Sequence, residues 1–357
     1  MLNSCMNNNF FYKILGSSQA AENSVKISKE NNFDFVRLVA AFLVLYSHQF
    51  ALMKMPEPNF YGHYSFGGVG VLIFFSISGY LVAQSWFADP NVVRFAIKRV
   101  LRIWPALVVV VVLTAYVLGA FVTRLPLWEY LSHRATLDYL LNIILTPVYV
   151  LPGVFEENPY ARGVNGSLWT IPIEVRCYAV LGFLGFLGLL RHRLMLLIFC
   201  GAYIVWYGFN GAPDFSGNIK YGRDFSAYFL AGAALYCLRN VWADRRLLFS
   251  MVFFLIGCGF WFLGFKYAAV LIALPVLVIA FGLSSTPFFR RFARWGDVSY
   301  GVYLYAFPVQ QTVIYIFFPH IGFYGAMFMA VLLTTVLAFA SWHWIEKRAL
   351  QLKPVRS

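Results

Sequence analysis

Apolar residues in this chain come in long runs, separated by short polar stretches rich in Arg, Gly and Pro. A helix crosses the hydrocarbon core of a bilayer with about 20 mostly apolar residues. Runs of that kind fall at roughly 34–54, 66–87, 104–122, 168–190, 194–209, 225–241, 247–264, 267–284, 296–318 and 322–346. The pattern predicts an all-α polytopic membrane protein of about ten transmembrane helices. An eleventh run, 137–151, is short and carries Pro147 and Pro152. It is predicted as a re-entrant or interfacial piece of a long external loop. Residues 1–32 are polar, with no apolar core followed by a small-residue cleavage site, and read as a cytoplasmic tail. The predicted membrane domain covers 33–350, with a short cytoplasmic tail at 351–357.

Composition agrees with that pattern. The chain is 61% hydrophobic and only 12% charged, against about one-quarter charged in a soluble domain. The net charge of +13 invites a nucleic-acid reading, but the basic residues sit in short clusters between apolar runs. With ten spans and the N-terminus inside, the inside segments hold most of the 28 Lys and Arg residues. Counting 137–151 as a span would put the later basic clusters outside. The expectation is therefore both termini cytoplasmic and no nucleic-acid partner. Cys5, Cys177, Cys200, Cys237 and Cys258 include no Cys-x-x-Cys pair, so neither a disulfide framework nor a metal site is expected.

Within the spans a few polar groups carry the candidate chemistry. Arg37 and His48 lie eleven positions apart in RLVAAFLVLYSH. On a helix that is nearly three turns, so both face one way about 16 Å apart. Such residues are costly in a span unless they face a partner or a polar cavity. One reading makes His48 a general base, with Arg37 holding an anionic or carbonyl group below it. The other is a snorkelling arginine and an interfacial histidine. Asp34 can pair with Arg37 at i,i+3. The glycines and serines of GGVGVLIFFSISGYL suit close helix packing, and a hydroxyl or backbone carbonyl there could also line a cavity. In RFAIKRVLRIWP, Arg94, Lys98 and Arg102 form a basic stripe with Arg99 beside it. That stripe is read as a short cytoplasmic interfacial helix ended by Pro105, serving either a phosphorylated ligand or lipid headgroups. In NGSLWTIPIEVRCY, Glu174 is the acidic residue among the apolar residues of its span. It could orient or charge His48, contact an acceptor hydroxyl, or pair between helices. Asp297 and Glu346 read as capping and anchoring residues at the cytoplasmic rim.

Taken in order, DFVRLVAAFLVLYSH, GVGVLIFFSISGYL, KRVLRIWP, NGSLWTIPIEV, GDVSYGVYLYAFP and WIEK resemble the acyltransferase-3 family of integral membrane acyltransferases. The resemblance runs from about Phe33 to Lys347. It implies a ten-span bundle in the bacterial inner membrane that moves an acyl group, usually acetyl, from cytoplasmic acetyl-CoA to a hydroxyl of an envelope or exported glycan. By the resemblance, His48, Arg37 and Glu174 are the catalytic candidates, with His48 either removing the acceptor hydroxyl proton or carrying the acyl group transiently. Arg99 and Arg102, with Lys98 beside them, are candidates for the coenzyme A phosphates. Asn165, Ser167 and Trp169 are candidate substrate contacts, and no metal is implied. External aromatics (Trp128, Tyr149, Phe155, Tyr160, Tyr221) could stack on sugar faces or lie in the membrane interface. Two positions depart from the family pattern: Ala306 stands where many members have His, and Arg348 where many have Pro. The chain is expected to be the stand-alone type, without an SGNH-type domain. A transporter or flippase of a lipid-linked glycan is the rival reading, without a detectable inverted repeat to support it.

Overall fold

A computed structural model describes residues 31–58, 64–216, 219–318 and 320–354. The predicted tail at 1–32 is thus almost wholly outside the described residues, as are His63 and Cys5. Helices occupy all ten apolar runs. They are α1 Phe33–Leu52, α2 Phe66–Ala88, α3 Val92–Val112, α4 Ile171–Phe186, α5 Arg193–Asn210, α6 Tyr221–Cys237, α7 Arg246–Phe262, α8 Lys266–Gly282, α9 Ser299–Phe317 and α10 Gly322–Ser341. Among the described residues, seven helical stretches are long and apolar enough to cross a membrane, and α8 is a shorter apolar helix. The chain is a multi-pass membrane protein.

The basic stripe does not form a separate short helix. Val92–Val112 is one helix with Pro105 inside it, and it continues through a π-helical turn at Leu113–Leu118 to Val122. Proline at 105 removes one helical hydrogen bond, and within a packed bundle that loss is absorbed by neighbouring groups. At the π turn, the Tyr130 hydroxyl donates to the Ala115 carbonyl at 2.5 Å. A tyrosine thus serves backbone that the wider turn leaves open. Gly119 makes room for it, since a Cβ there would overlap the Tyr130 hydroxyl. Burial pushes the Tyr130 phenol up to about 12, which keeps it a donor.

The chain forms two compact units. One takes in the chain up to Arg37, Leu72–Phe95 and Arg176–Trp295. Here α2 and α6 cross at glycines. A Cβ on Gly79 would overlap the Phe229 carbonyl oxygen, and one on Gly232 the Ser76 carbonyl oxygen. The close-packing role expected of the SISGYL glycine is what the structure shows. Helices α7 and α8 form a hairpin turned by Gly264, whose φ of +92° suits glycine. The start of α8 is capped by Asp214, which accepts from the Tyr267 and Ala268 amides at 3.1 and 2.8 Å.

The other unit takes in Leu38–Val71, Ala96–Val175 and Gly296 onward. Gly301 of α9 packs against Ala338 of α10, where a Cβ would meet the Ala338 Cα at 2.9 Å. The segment 137–151 is no span: it holds the end of a short helix, a 3-10 turn over Tyr139–Ile144, and then loop. The whole stretch from Thr123 to Asn165 is tied down. Thr123 Oγ1 donates to the Pro152 carbonyl (2.9 Å), Trp104 Nε1 to Ile143 (3.1 Å), and the Tyr160 amide to Leu52 (3.2 Å). Asn142 Nδ2 donates to the Tyr139 and Val148 carbonyls. Phe155 is fully buried in that loop, so it is not available to stack on a sugar; Trp128 remains exposed.

Candidate active site

His48 sits near the end of α1. Its ring meets Phe307 of α9 edge-on, with centroids 5.1 Å apart. Its Nδ1 is buried and has no hydrogen-bond partner among the described residues. A buried polar atom left this way is costly, and such atoms mark sites for water or ligand. Phe307 also takes the NGSLWT segment: a Cβ on Gly166 would meet the Phe307 ring at 2.6 Å, so a larger residue there would have to displace that ring. Tyr160 reaches the same ring from the loop, at 6.3 Å between centroids. Ser167, next to Gly166, holds a buried hydroxyl that likewise has no hydrogen-bond partner among the described residues. Two separate sequence motifs, one with His48 and one with Ser167, therefore meet on Phe307 of a third.

The NGSLWT segment is held by backbone contacts. Asn165 caps the 3-10 turn Gly166–Thr170, its Oδ1 accepting from the Ser167 amide at 3.1 Å. Its Nδ2 donates to the Leu304 carbonyl of α9 at 3.0 Å. Asn165 is thus buried and engaged as a clamp between the turn and α9. The Tyr303 hydroxyl donates to the Ser167 carbonyl at 2.9 Å, which makes Thr170 the donor in the 2.5 Å contact with Tyr303. Glu174, a turn further on, is half-buried and its charge acts on the Tyr303 hydroxyl. Trp169 is half-buried. Asn165→Ala is expected to lower stability by roughly 1–3 kcal/mol, because the Leu304 carbonyl and Ser167 amide lose their partner. Thermal unfolding of the purified protein in detergent checks this.

Two glutamines of α9 escape a sequence reading that treats the helix as a plain span. Gln310 donates to the Leu45 carbonyl and to Gln49 Oε1 on α1, at 2.9 and 2.8 Å. Gln311 donates to the Tyr160 and Gly163 carbonyls and accepts from Asn158 at 2.8 Å. They fix α1 and the loop against α9, and so fix His48 relative to Phe307. Adjacent amides inside an apolar run were the available signal, since buried amides require partners. Glu57 was also missed. It accepts from Ser47, beside His48, at 2.8 Å and from the Phe66 amide at the start of α2 at 2.9 Å.

The other predicted site residues lie elsewhere on these helices. Arg37 is at the far end of α1 from His48 and donates to Asp34 at 3.1 Å, as the i,i+3 spacing predicts. Lys98, Arg99 and Arg102 lie on α3. Arg102 donates to Asp297 at 2.5 Å, and Ser299 donates to the other Asp297 oxygen. Buried Glu346 accepts from Ser341 at 2.9 Å and lies within the electrostatic reach of Arg102 and Asp297. Arg94 pairs with Asp89 through contacts of 2.6–3.1 Å. Both ends of the basic stripe are therefore held by acids. Among the described residues no cluster of metal-ligating side chains occurs.

These features define an all-helical membrane protein with a half-buried histidine on its first helix whose Nδ1 has no hydrogen-bond partner among the described residues. The chain belongs to the acyltransferase-3 family, whose acyltransferase domain matches residues 30–343. It is 32% identical to the O-acetyl transferase of Shigella phage Sf6, over 90% of this chain and 96% of that protein. It is 28% identical to nodulation protein 10 of Rhizobium leguminosarum bv. viciae, over 90% and 94% respectively. A Bacillus subtilis (strain 168) protein named "Putative peptidoglycan O-acetyltransferase YrhL" is 24% identical over 79% of this chain and 50% of that one. No solved structure shows a significant match. The protein is a membrane O-acyltransferase.

Proposed function

We propose that this O-acyltransferase moves an acetyl group from acetyl-CoA to a hydroxyl of an envelope or exported glycan, at the bacterial inner membrane, with ten spans and both termini cytoplasmic. The observation that carries the catalytic reading is the buried, unpartnered His48 Nδ1 beside Phe307. A neutral imidazole there is a base without a competing partner. It takes the acceptor hydroxyl proton as the oxygen attacks the thioester carbonyl, then returns a proton to the departing thiolate. Arg37 and Glu174 stand as further catalytic candidates, and Ser167 and Trp169 as acceptor contacts. The names of the phage and Bacillus relatives support acetyl and a glycan acceptor.

Lys98, Arg99 and Arg102 fit the donor phosphates by charge, since guanidinium and ammonium groups bind phosphate oxygens. Arg102 already holds Asp297. Arg102→Ala is therefore expected to lower thermal stability as well as weaken acetyl-CoA binding. Unfolding curves with and without acetyl-CoA separate the two effects. The function itself is tested in cells. Deleting the gene should remove ester-linked acetate from one envelope or exported glycan, and expression from a plasmid should restore it. An unchanged ester-acetate content in every glycan fraction would contradict the proposal.

A further inference from the structure

Two arginines of the first unit stand apart from the proposed chemistry. Arg193 opens α5, and Arg239 follows the end of α6. Both guanidinium groups lie over the Tyr236 ring, at 5.6 Å for Arg193 and 4.3 Å for Arg239. Arg193 also reaches the Phe87 ring near the end of α2, at 6.0 Å. Phe87 stacks on Tyr236, and buried Tyr80 meets Tyr236 edge-on at 5.5 Å. The two charges repel each other. Arg239 is only 6% exposed, and its recorded hydrogen bond is a long one, from Nη1 to the Tyr236 carbonyl at 3.5 Å. Among the described residues neither arginine pairs with a carboxylate, whereas Arg94 and Arg102 each do.

A buried guanidinium without an anion is unfavourable. Aromatic faces and the carbonyl end of α6 offset part of that cost. One cation would cap that helix end, however, and a second beside it adds repulsion. We propose that Arg193 and Arg239 form a binding site for the phosphate group of an anionic ligand, at the ends of α2, α5 and α6. Guanidinium forks suit phosphate oxygens, and the rings hold the forks in place. By the ten-span reading these helix ends face the cytoplasm, where phosphate is offered by a coenzyme A thioester or by lipid headgroups. The site stands on its own geometry, whether or not His48 is the base.

The test uses the full-length protein in lipid-free detergent and phosphate-free buffer, with pyrophosphate as probe. Pyrophosphate should raise the melting temperature, and Arg193→Gln and Arg239→Gln should each raise the half-maximal concentration about tenfold or more. Without pyrophosphate, Arg193→Gln should melt no lower than the parent, because it removes a repelled charge. Should Arg239→Gln fail to fold, Arg193→Gln alone carries the test. Two further arms identify the source. A response to coenzyme A that Arg193→Gln weakens assigns the phosphate to the donor. A response to phosphatidylglycerol nanodiscs, weakened in the same way, assigns it to lipid. A folded Arg193→Gln protein with an unchanged pyrophosphate response, or one that merely melts lower without ligand, would overturn the site.

Discussion

Replacing His48 by Ala is expected to reduce acetyl transfer by about 10²–10⁴-fold, the usual contribution of a positioned general base. The protein should still insert and fold. His48 contributes a ring contact to Phe307 and no recorded hydrogen bond from its buried Nδ1, so little of the structure depends on it. Removing an unpartnered polar atom from a buried position costs less than removing a paired one. His48→Gln keeps a polar group but supplies no base near neutrality, and should be nearly as inactive. The activity loss with retained stability is the signature that separates catalysis from packing. A structural histidine would show the reverse, a lower melting temperature with the remaining folded fraction fully active. Initial rates per folded molecule, with the folded fraction taken from size-exclusion profiles, decide between them.

The second large effect is expected at the crossing of α2 and α6. Gly79→Leu or Gly232→Leu should abolish recovery of folded protein. Each glycine faces a backbone carbonyl of the other helix, Phe229 for Gly79 and Ser76 for Gly232. Where a new side chain meets a flexible neighbour, that neighbour can rotate away. Backbone cannot, so the helices must separate along their length, and small residues at such crossings are what permit close approach in membranes. Overpacking of a core already costs about 1–3 kcal/mol where side chains can adjust, and more where they cannot. Gly201 and Gly208 on α5 have open space at their Cβ positions, and alanine or leucine there should be tolerated. Recovery of monodisperse protein in detergent compares the two sets directly.

The apolar runs predicted where helices lie because a polypeptide in an apolar setting must satisfy its backbone internally, which forces helix wherever the run is long enough; among the described residues seven helical stretches reach spanning length and apolarity. The Asp34–Arg37 pair followed from helical spacing, and the packing role of Gly79 from the small residues in its apolar run. The fate of Pro105 was not legible. Whether a proline ends or merely interrupts a helix depends on what packs around it, and the strong stripe before it and the apolar run after it both continue as helix. Phe155 was misplaced by similar logic: an aromatic in an external loop reads as exposed, yet it is fully buried, with its ring against Tyr315 of α9. Asn165 was a candidate substrate contact by the resemblance, and its side chain is spent on the Ser167 amide and Leu304 carbonyl. The convergence of His48, Gly166 and Phe307 joins segments far apart in the chain, and only the fold brings them to one ring.

The central claim is that His48 drives transfer of acetyl from a thioester to a glycan hydroxyl. Its most direct test is acceptor-dependent release of free thiol from acetyl-CoA by the purified protein, measured alongside ester formation on the added glycan. The account predicts thiol and ester in equal amounts, both dependent on acceptor and both lost in His48→Ala. No acceptor-dependent thiol release from folded parent protein, across O-antigen, exopolysaccharide and peptidoglycan acceptors, or undiminished release from His48→Ala, would contradict it.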